Sequence, residues 1–434
     1  MAIALHRTRR RMLTAGVATA IVASLAACAS DGGTPPAAEE GEEDAPTTGQ
    51  TISVWTFGAT GLEDSMQAWA EETGNTVEVK VGEFDPHHEQ LLTALASGAV
   101  PDVALIETAY SAVFKQSANY FTDLRDLGAQ EIEGDYLDWR WAQGVADDGT
   151  VFGLPTDVGG MALAYRTDLF EAAGLPADPA GVEGLWSSWE EFLAVGEQYT
   201  ATTGEPFLDD AGVLFQTVYN QGEEKFYSAD GSELVYATNP QVRSAWDIAT
   251  QAGGISANLG AFSPEWNTAM ANGDYAVQLA PAWMLNYIQG QAPDTAGTWS
   301  VVTLPEGGGN WGGSQMAIPK EAAHPQLAYD MLTTILSPEN QLDVFKEFGN
   351  FPSVPALYED PALTGFTSEF FSDAPVGQIY SDSASALKPV YEGPKERAIL
   401  REFGLAIDRV EIGDETPDEA WDSALAAIKL ETGE

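Results

Sequence analysis

The strongest constraint on the fold is an alternation of strand and helix patterns in the first third of the chain. Residues 51–57 alternate apolar and polar side chains and are rich in β-branched residues, which predicts a strand. Helical spacing follows at 62–73, a second alternating run at 75–81, a helix pattern at 89–99 and a short apolar strand at 102–106. This β-α-β-α-β order predicts a parallel sheet covered by helices on both faces.

The same order indicates where a ligand would bind. In open α/β sheets, ligands lie beyond the carboxyl ends of the strands. The segments to consider are therefore 55–61, 82–88 and 107–110. A second α/β region follows, with strand patterns at 161–165 and 275–280, and the C-terminal third is mainly helical.

The charge excludes several classes of partner. The 434 residues include 19 Lys and Arg against 66 Asp and Glu, a formal net charge of −47. A surface this negative repels nucleic-acid phosphates and anionic lipid headgroups. The single cysteine can form neither an intramolecular disulfide nor a zinc site built of several thiolates. We therefore expect no nucleic-acid partner, no metal and no cofactor.

That cysteine, Cys28, ends an export pattern. Arginines between positions 7 and 11 precede an uncharged apolar stretch at 12–27, which is too short to span a bilayer comfortably as a helix. A basic segment followed by a short apolar one is typical of a secretory signal. The tetrapeptide Leu25-Ala26-Ala27-Cys28 resembles a bacterial lipobox, whose cysteine is acylated and becomes the first residue of the mature protein. We expect a signal peptide at 1–27 and lipidation of Cys28.

Residues 28–49 have the composition of a linker. They are small, polar and acidic and show no hydrophobic periodicity. Such a segment buries too little apolar surface to offset its ordering entropy. We expect a flexible tether that holds an exported body at the outer face of the cell membrane through the lipid anchor alone.

Several short motifs resemble those of a known family. They are, along the chain, TISVWTF at 51–57, LASGAVPD at 95–102, GLPTD at 153–157, AYRTDLF at 164–170, NGDYA at 272–276, APAW at 280–283 and GNFPS at 349–353. Together they resemble the extracellular sugar-binding lipoproteins of ABC importers, the group that includes maltose-binding protein.

The resemblance implies a type II periplasmic-binding-protein fold. Two α/β lobes, each a sheet flanked by helices, would hold the ligand in the cleft between them. The chain would cross between the lobes near Asp157, 305–311 and 361–375, and these crossings would form the hinge. The implied lobe boundaries are 50–157 plus 312–360 for the first lobe and 158–311 plus 361–434 for the second.

Aromatic candidates follow from the chemistry of carbohydrates, which need flat rings for their C–H faces and directional polar groups for their hydroxyls. Trp283 follows a strand pattern and, by resemblance, matches a stacking tryptophan. Trp311 lies in a glycine-rich loop, where small residues such as Gly313 would let the backbone approach a ligand. Trp55 and Phe57 end the first strand, and we expect one to point inward and the other outward, so that one of them contacts ligand.

Three carboxylates are further candidates. Asp157 lies at the first implied crossing, and Glu107 and Asp85 each follow a strand pattern. A carboxylate that accepts two hydroxyl hydrogen bonds is a strong and oriented contact. We therefore expect these groups to bind the ligand, with Trp266 and Tyr110 as weaker aromatic candidates.

These expectations favour a receptor without enzymatic activity. It would capture a mono- or oligosaccharide by closing its lobes and deliver it, as a monomer, to the permease subunits of an ABC importer. One alternative is a receptor for another solute such as a polyamine, in which acidic cleft residues would outnumber aromatic platforms. Another is an exported glycoside hydrolase, because tryptophan platforms and paired carboxylates serve that chemistry too.

The lipobox generates the first prediction. Cys28→Ala removes the thiol that is acylated, so the variant should move from the membrane fraction to the soluble fraction of its native host. Fractionation followed by immunodetection measures the change. A variant that stays as firmly bound to the membrane as the unmutated protein would contradict lipidation.

Overall fold

The computed structural model of the protein describes residues 47–388 and 390–433. The signal pattern, Cys28 and most of the expected tether lie outside the described residues. None of the helices described in these ranges is both long enough and apolar enough to span a membrane.

Strands and helices alternate along the described chain. The strands are β1 (Thr51–Phe57), β2 (Thr76–Gly82), β3 (Val103–Glu107), β4 (Gly153–Pro155), β5 (Met161–Arg166), β6 (Val277–Pro281), β7 (Trp299–Val302) and β8 (Ser314–Ala317). The helices are α1 (Glu63–Thr73), α2 (Phe84–Ser97), α3 (Thr108–Lys115), α4 (Asp138–Gln143), α5 (Thr167–Ala172), α6 (Pro179–Glu183), α7 (Trp189–Thr203), α8 (Ala211–Tyr219), α9 (Pro240–Gln251), α10 (Pro264–Asn272), α11 (Ala282–Gln291), α12 (Pro325–Ile335), α13 (Pro338–Phe348), α14 (Pro361–Thr364), α15 (Val376–Ala386), α16 (Glu396–Glu411) and α17 (Pro417–Thr432).

The first sheet has the strand order β2-β1-β3-β8-β4. Strand β1 is parallel to β2 and β3, which confirms the predicted parallel β-α-β-α-β unit. Strand β8 enters from much later in the chain and runs antiparallel to both β3 and β4. Helix α2 begins at Phe84 rather than at Glu89, so Asp85 lies in the first turn of a helix and not in a loop after the strand.

The second sheet is smaller and antiparallel, with the order β6-β5-β7. The chain passes from the first sheet to the second between Pro155 and Met161, and it returns between Val302 and Ser314. Helix α12 then packs against α1 beside the first sheet, whereas α16 packs against α8 and α9 beside the second. The fold is therefore mixed α/β with two sheets, each flanked by helices.

Three apolar clusters fill the space between these layers. One lies between the first sheet and helices α2 and α3, with Ile106 and Phe114 among its members. A second covers the other face of the first sheet and continues to one face of the second sheet. The third lies between the opposite face of the second sheet and helices α7, α8, α9 and α16.

Local sequence explains how Trp283 reaches its position. Ser263 accepts a hydrogen bond from the Trp266 backbone N–H at 3.1 Å and so caps the start of α10, and Gly273, with φ of 78°, ends that helix. Strand β6 follows and leads directly into α11. The sequence pattern predicts a turn at Trp283, but the residue is the second of helix α11.

The expectation that Trp55 and Phe57 point to opposite faces of the sheet is wrong. The two residues are two positions apart in β1, and residues with that spacing point to the same face of a sheet. Both are half-buried, whereas Val54 and Thr56 on the other face are buried completely.

Candidate functional site

A cavity of about 290 Å³ lies between elements of the two sheets. The first sheet contributes the start of α2, the end of β3 and the start of α3. The second side contributes the end of α8 and one face of α16, and the chain that returns between the sheets forms a third border. The lining residues are Phe84, Glu107, Thr108, Ala109, Gln216, Tyr219, Asn220, Lys225, Asn310, Trp311, Gly312, Glu392, Glu396, Arg397, Leu400 and Arg401.

Several polar atoms at this cavity are buried and lack a hydrogen-bond partner within the part of the chain that the structure describes. They are Asn220 Oδ1, Asn310 Oδ1, both carboxylate oxygens of Glu396 and Arg397 Nη1. Burying such groups without partners costs about 1–3 kcal/mol each. Their position around one cavity marks a place where a polar ligand or water can supply the missing partners.

Glu107 stands at the carboxyl end of β3, as the sequence predicts for a ligand-binding segment. Its Oε2 accepts a hydrogen bond from the Ala109 backbone N–H at 2.7 Å, and its Oε1 accepts one from Thr108 Oγ1 at 3.0 Å. Burial outweighs these bonds and raises the pKa of Glu107 to about 7. Burial therefore favours the protonated form of this carboxyl group.

His88 holds Glu107 in place from α2. Its Nε2 accepts a hydrogen bond from the Glu107 backbone N–H at 3.1 Å, so its Nδ1 carries the proton and donates to the Phe84 carbonyl at 2.7 Å. Burial lowers the pKa of His88 to about 3, and the neutral ring stacks on Tyr110 at 3.9 Å between centroids. Within the described ranges, no three His, Cys, Asp or Glu side chains form a cluster suited to a metal ion.

Charged pairs border the cavity on the side of the second sheet. Lys225 forms an ion pair with Glu392. Glu396 lies nearby, where burial raises its pKa and the Lys225 ammonium opposes that increase. Arg397 donates to Asp85 Oδ1 at 2.7 Å across the cleft.

Three aromatic rings stand together beside the cavity, and we call Phe262, Trp283 and Trp311 the aromatic wall. Trp283 lies 5.5 Å from Trp311 and 6.2 Å from Phe262 between ring centroids. Trp283 Nε1 donates to the Trp311 carbonyl at 3.1 Å, which fixes the indole. Phe262 is 48% exposed and has a φ of 67°, an uncommon conformation that often marks a functional position.

Gly312 connects the aromatic wall to Glu107. Its φ is 89°, a conformation that favours glycine. A Cβ atom there would lie 3.4 Å from Trp283 Nε1 and 3.7 Å from Glu107 Oε1. The structure therefore brings Glu107, Trp283 and Trp311 together around one backbone position, with Glu107 and Trp311 lining the cavity.

The other predicted residues lie outside the cavity lining. Asp157 Oδ1 accepts hydrogen bonds from Thr156 Oγ1 at 2.6 Å and from the Ser314 backbone N–H at 2.9 Å, so this carboxylate serves the chain segments between the sheets. Gly313 lies beside it, and a Cβ atom at Gly313 would be 3.2 Å from the Asp157 carbonyl oxygen. Their roles in ligand binding stay predictions.

The remaining three lie in β1 and at the start of α2. Phe57 packs against Phe84 at 5.0 Å between ring centroids. Asp85 contacts the cavity only through Arg397, and the Lys80 ammonium covers the ring of Trp55 at 4.1 Å from its centroid. Phe57 and Asp85 thus support the cavity border, and Trp55 lies toward the edge strand.

Sequence reasoning missed Asn220, Lys225, Glu392, Glu396 and Arg397. Asn220 follows the last turn of α8, and Glu396 and Arg397 begin α16. Amphipathic spacing in these segments predicts covering helices and gives no sign of a cleft. The one available signal was the combination of Glu396, Arg397 and Arg401 on the side of α16 that also carries Leu400.

The two sheets, their flanking helices and the cavity between them define the two-lobed, type II fold of periplasmic binding proteins. A crystal structure of an extracellular solute-binding protein of family 1 has this fold, with a TM-score of 0.78 and 31% identity over 88% of this chain and 99% of that chain. The model of the bacterial extracellular solute-binding protein family matches residues 64–369. This chain belongs to that family, which indicates an exported protein.

Two relatives are named for the sugars that they bind. An arabinooligosaccharide-binding protein of Halalkalibacterium halodurans is 26% identical over 301 residues, which cover 65% of this chain and 66% of the relative. A lactose-binding protein of Rhizobium radiobacter is 28% identical over 281 residues, which cover 60% of this chain and 62% of the relative. The chain thus spans just under two thirds of the length of either relative, and both are binding proteins.

The pKa of Glu107 generates a prediction on stability. The folded protein keeps this proton up to about pH 7, whereas the unfolded chain releases it near pH 4.5. The free energy of unfolding should therefore fall by about 3 kcal/mol through this group as the pH rises between those values. Glu107→Gln should remove that part of the slope in urea titrations from pH 4 to 8, and Glu89→Gln on the exposed side of α2 is the control. Parallel curves for the wild type and Glu107→Gln would contradict the assigned pKa.

Proposed function

We propose that this protein is the carbohydrate receptor of an ABC importer. The observation that carries the proposal is the set of buried polar atoms around the cavity that lack partners among the described residues, next to the aromatic wall, of which Phe262 is exposed and Trp283 and Trp311 are half-buried. Hydroxyl groups of a sugar both donate and accept hydrogen bonds, so one ligand can satisfy Asn220, Asn310, Glu396 and Arg397 together. Relatives that bind arabinooligosaccharides and lactose support the same ligand class.

We infer that binding works by closure of the two lobes at 50–157 plus 312–360 and at 158–311 plus 361–434. Ligand contacts on both sides of the cleft exist together only in the closed state, so the ligand shifts the population toward that state. A permease could then recognise the closed receptor. Lipidation at Cys28, a tether at 28–49 and a monomeric state belong to the same proposal. No catalytic role is part of it, because the family model and the named relatives describe binding proteins.

Glu396 provides the direct test. Its two buried oxygens lack partners among the described residues, so a ligand hydroxyl bound there should contribute as much as pairing a buried polar group, about 1–3 kcal/mol. Glu396→Ala should weaken binding of the preferred sugar by about 10- to 100-fold, whereas Glu396→Gln, which keeps an acceptor and donors, should lose less. A thermal-shift screen of mono- and oligosaccharides identifies the sugar, and titration calorimetry measures the affinities.

The control for this experiment is Glu402→Ala on the same helix, because Glu402 pairs with Arg401 and does not line the cavity. It should leave the affinity unchanged. A wild-type protein that binds no sugar in the screen would overturn the proposed function. Equal affinities for the wild type and Glu396→Ala would remove Glu396 from the site.

Trp283 generates a second test. An indole face stacked on a sugar ring buries about 100 Å², which corresponds to about 2.5 kcal/mol. Trp283→Ala should therefore weaken sugar binding by roughly 50- to 100-fold, and Trp283→Phe, which keeps an aromatic plane, should recover much of the loss. Calorimetry and a melt without ligand are run on each variant. Unchanged affinity beside a large decrease in Tm would show that Trp283 only packs.

A further inference from the structure

Arg397 crosses the mouth of the cavity. It lies in the first turn of α16, beside the second sheet, and its Nη2 lies 2.7 Å from Oδ1 of Asp85, in the first turn of α2 beside the first sheet. The same Asp85 oxygen accepts a hydrogen bond from the Tyr110 hydroxyl at 2.7 Å. The ion pair therefore joins the two sides of the cleft at its rim.

Aromatic rings of the first side hold the guanidinium in this position. Its central carbon lies 4.2 Å from the ring centroid of Tyr110 and 5.5 Å from that of Phe84. A planar, weakly hydrated guanidinium stacks well on such rings. Tyr110 is itself stacked on the buried His88, so the surface that receives Arg397 is fixed. Arg397 thus bridges the cleft and contacts both of its sides.

Glu392 makes a second connection across the cleft. It forms an ion pair with Lys225 on its own side, and it lies 3.4 Å from Nε2 of Gln143, at the end of α4 beside the first sheet. Both Glu392 and Arg397 line the cavity, whose volume is about 290 Å³. At roughly 30 Å³ per water molecule this volume corresponds to about ten waters, which is space for one or two sugar rings.

We propose that Arg397, held by Asp85 and Tyr110, ends the ligand cavity and limits the bound carbohydrate to one or two sugar units. This inference rests on the proposed carbohydrate-binding function. Arg397 Nη1 is buried and has no hydrogen-bond partner among the described residues, so it donates to a hydroxyl of the terminal sugar. A longer chain would have to displace the ion pair to leave through the mouth.

The variants that test the role of Arg397 should fold. The side chains of Arg397 and Asp85 are 37% and 54% exposed, and ion pairs at such positions contribute little to stability. Arg397→Ala removes the side chain that bridges the cleft. Asp85→Ala removes the carboxylate that holds this side chain, without changing a residue that lines the cavity. Arg243→Ala is the matched control, because Arg243 is similarly exposed at 40%, forms ion pairs with Asp247 and Asp418, and does not line the cavity.

The experiment is titration calorimetry with arabinose-, galactose- and glucose-based series of one to five units. The wild type should bind the mono- or disaccharide of its preferred series at least tenfold more tightly than the trisaccharide and longer members. In Arg397→Ala and Asp85→Ala this ratio should fall to threefold or less, whereas Arg243→Ala should keep the wild-type ratio.

The two proposals fail in different ways. Absence of binding of any sugar to the wild type would overturn the carbohydrate function. Sugar binding in which the trisaccharide binds as tightly as the disaccharide would overturn the length limit alone. A wild-type preference for short sugars that persists unchanged in both Arg397→Ala and Asp85→Ala would also overturn the role of Arg397.

Discussion

The buried guanidinium of Arg140 ties together the two segments of chain that run between the sheets. The residue is fully buried; its Nε donates to the Asp157 carbonyl at 2.9 Å and its Nη2 donates to the Ser314 carbonyl at 2.5 Å. A buried cation is costly unless hydrogen bonds compensate it. The outgoing segment at Asp157 and the returning segment at Ser314 are therefore held side by side, and the Asp157 carboxylate adds a further bond to the Ser314 N–H.

This arrangement determines the geometry of the ligand site. Because Ser314 begins β8 next to β3, the preceding residue pair Trp311 and Gly312 lies directly beside Glu107. The Trp311 carbonyl then accepts the hydrogen bond that fixes the Trp283 indole. This contact between the connecting segments thus sets the distance between a carboxyl group of the first sheet and an aromatic ring beside the second. Between residues 47 and 317, these two segments are the chain connections between the two sheets.

The sequence predicts what is encoded locally. Strand 51–57 agrees with the structure to the residue, since β-branched alternation defines it. The helix predicted at 62–73 begins one residue later and ends at the same residue, where Gly74 caps it. Glu107 was identified because the carboxyl end of a parallel strand is a position that any ligand of such a sheet approaches. The roles of Glu396 and Asp157 depend on partners that are distant in sequence, Lys225 and Ser314, and no local pattern reveals which helix face or which backbone N–H they meet.

The distribution of charge favours an uncharged ligand over a cation. With a net charge of −47, the surface as a whole attracts cations and repels anions. At the cavity, however, the acidic lining residues Glu107, Glu392 and Glu396 are matched by Lys225 and two arginines. Burial also raises the pKa of Glu107 and Glu396, which reduces their negative charge near neutral pH. A polyamine would be repelled by these positively charged side chains inside the cleft. A sugar could hydrogen-bond to the acidic and the basic side chains through its hydroxyls and could also pack against the aromatic wall.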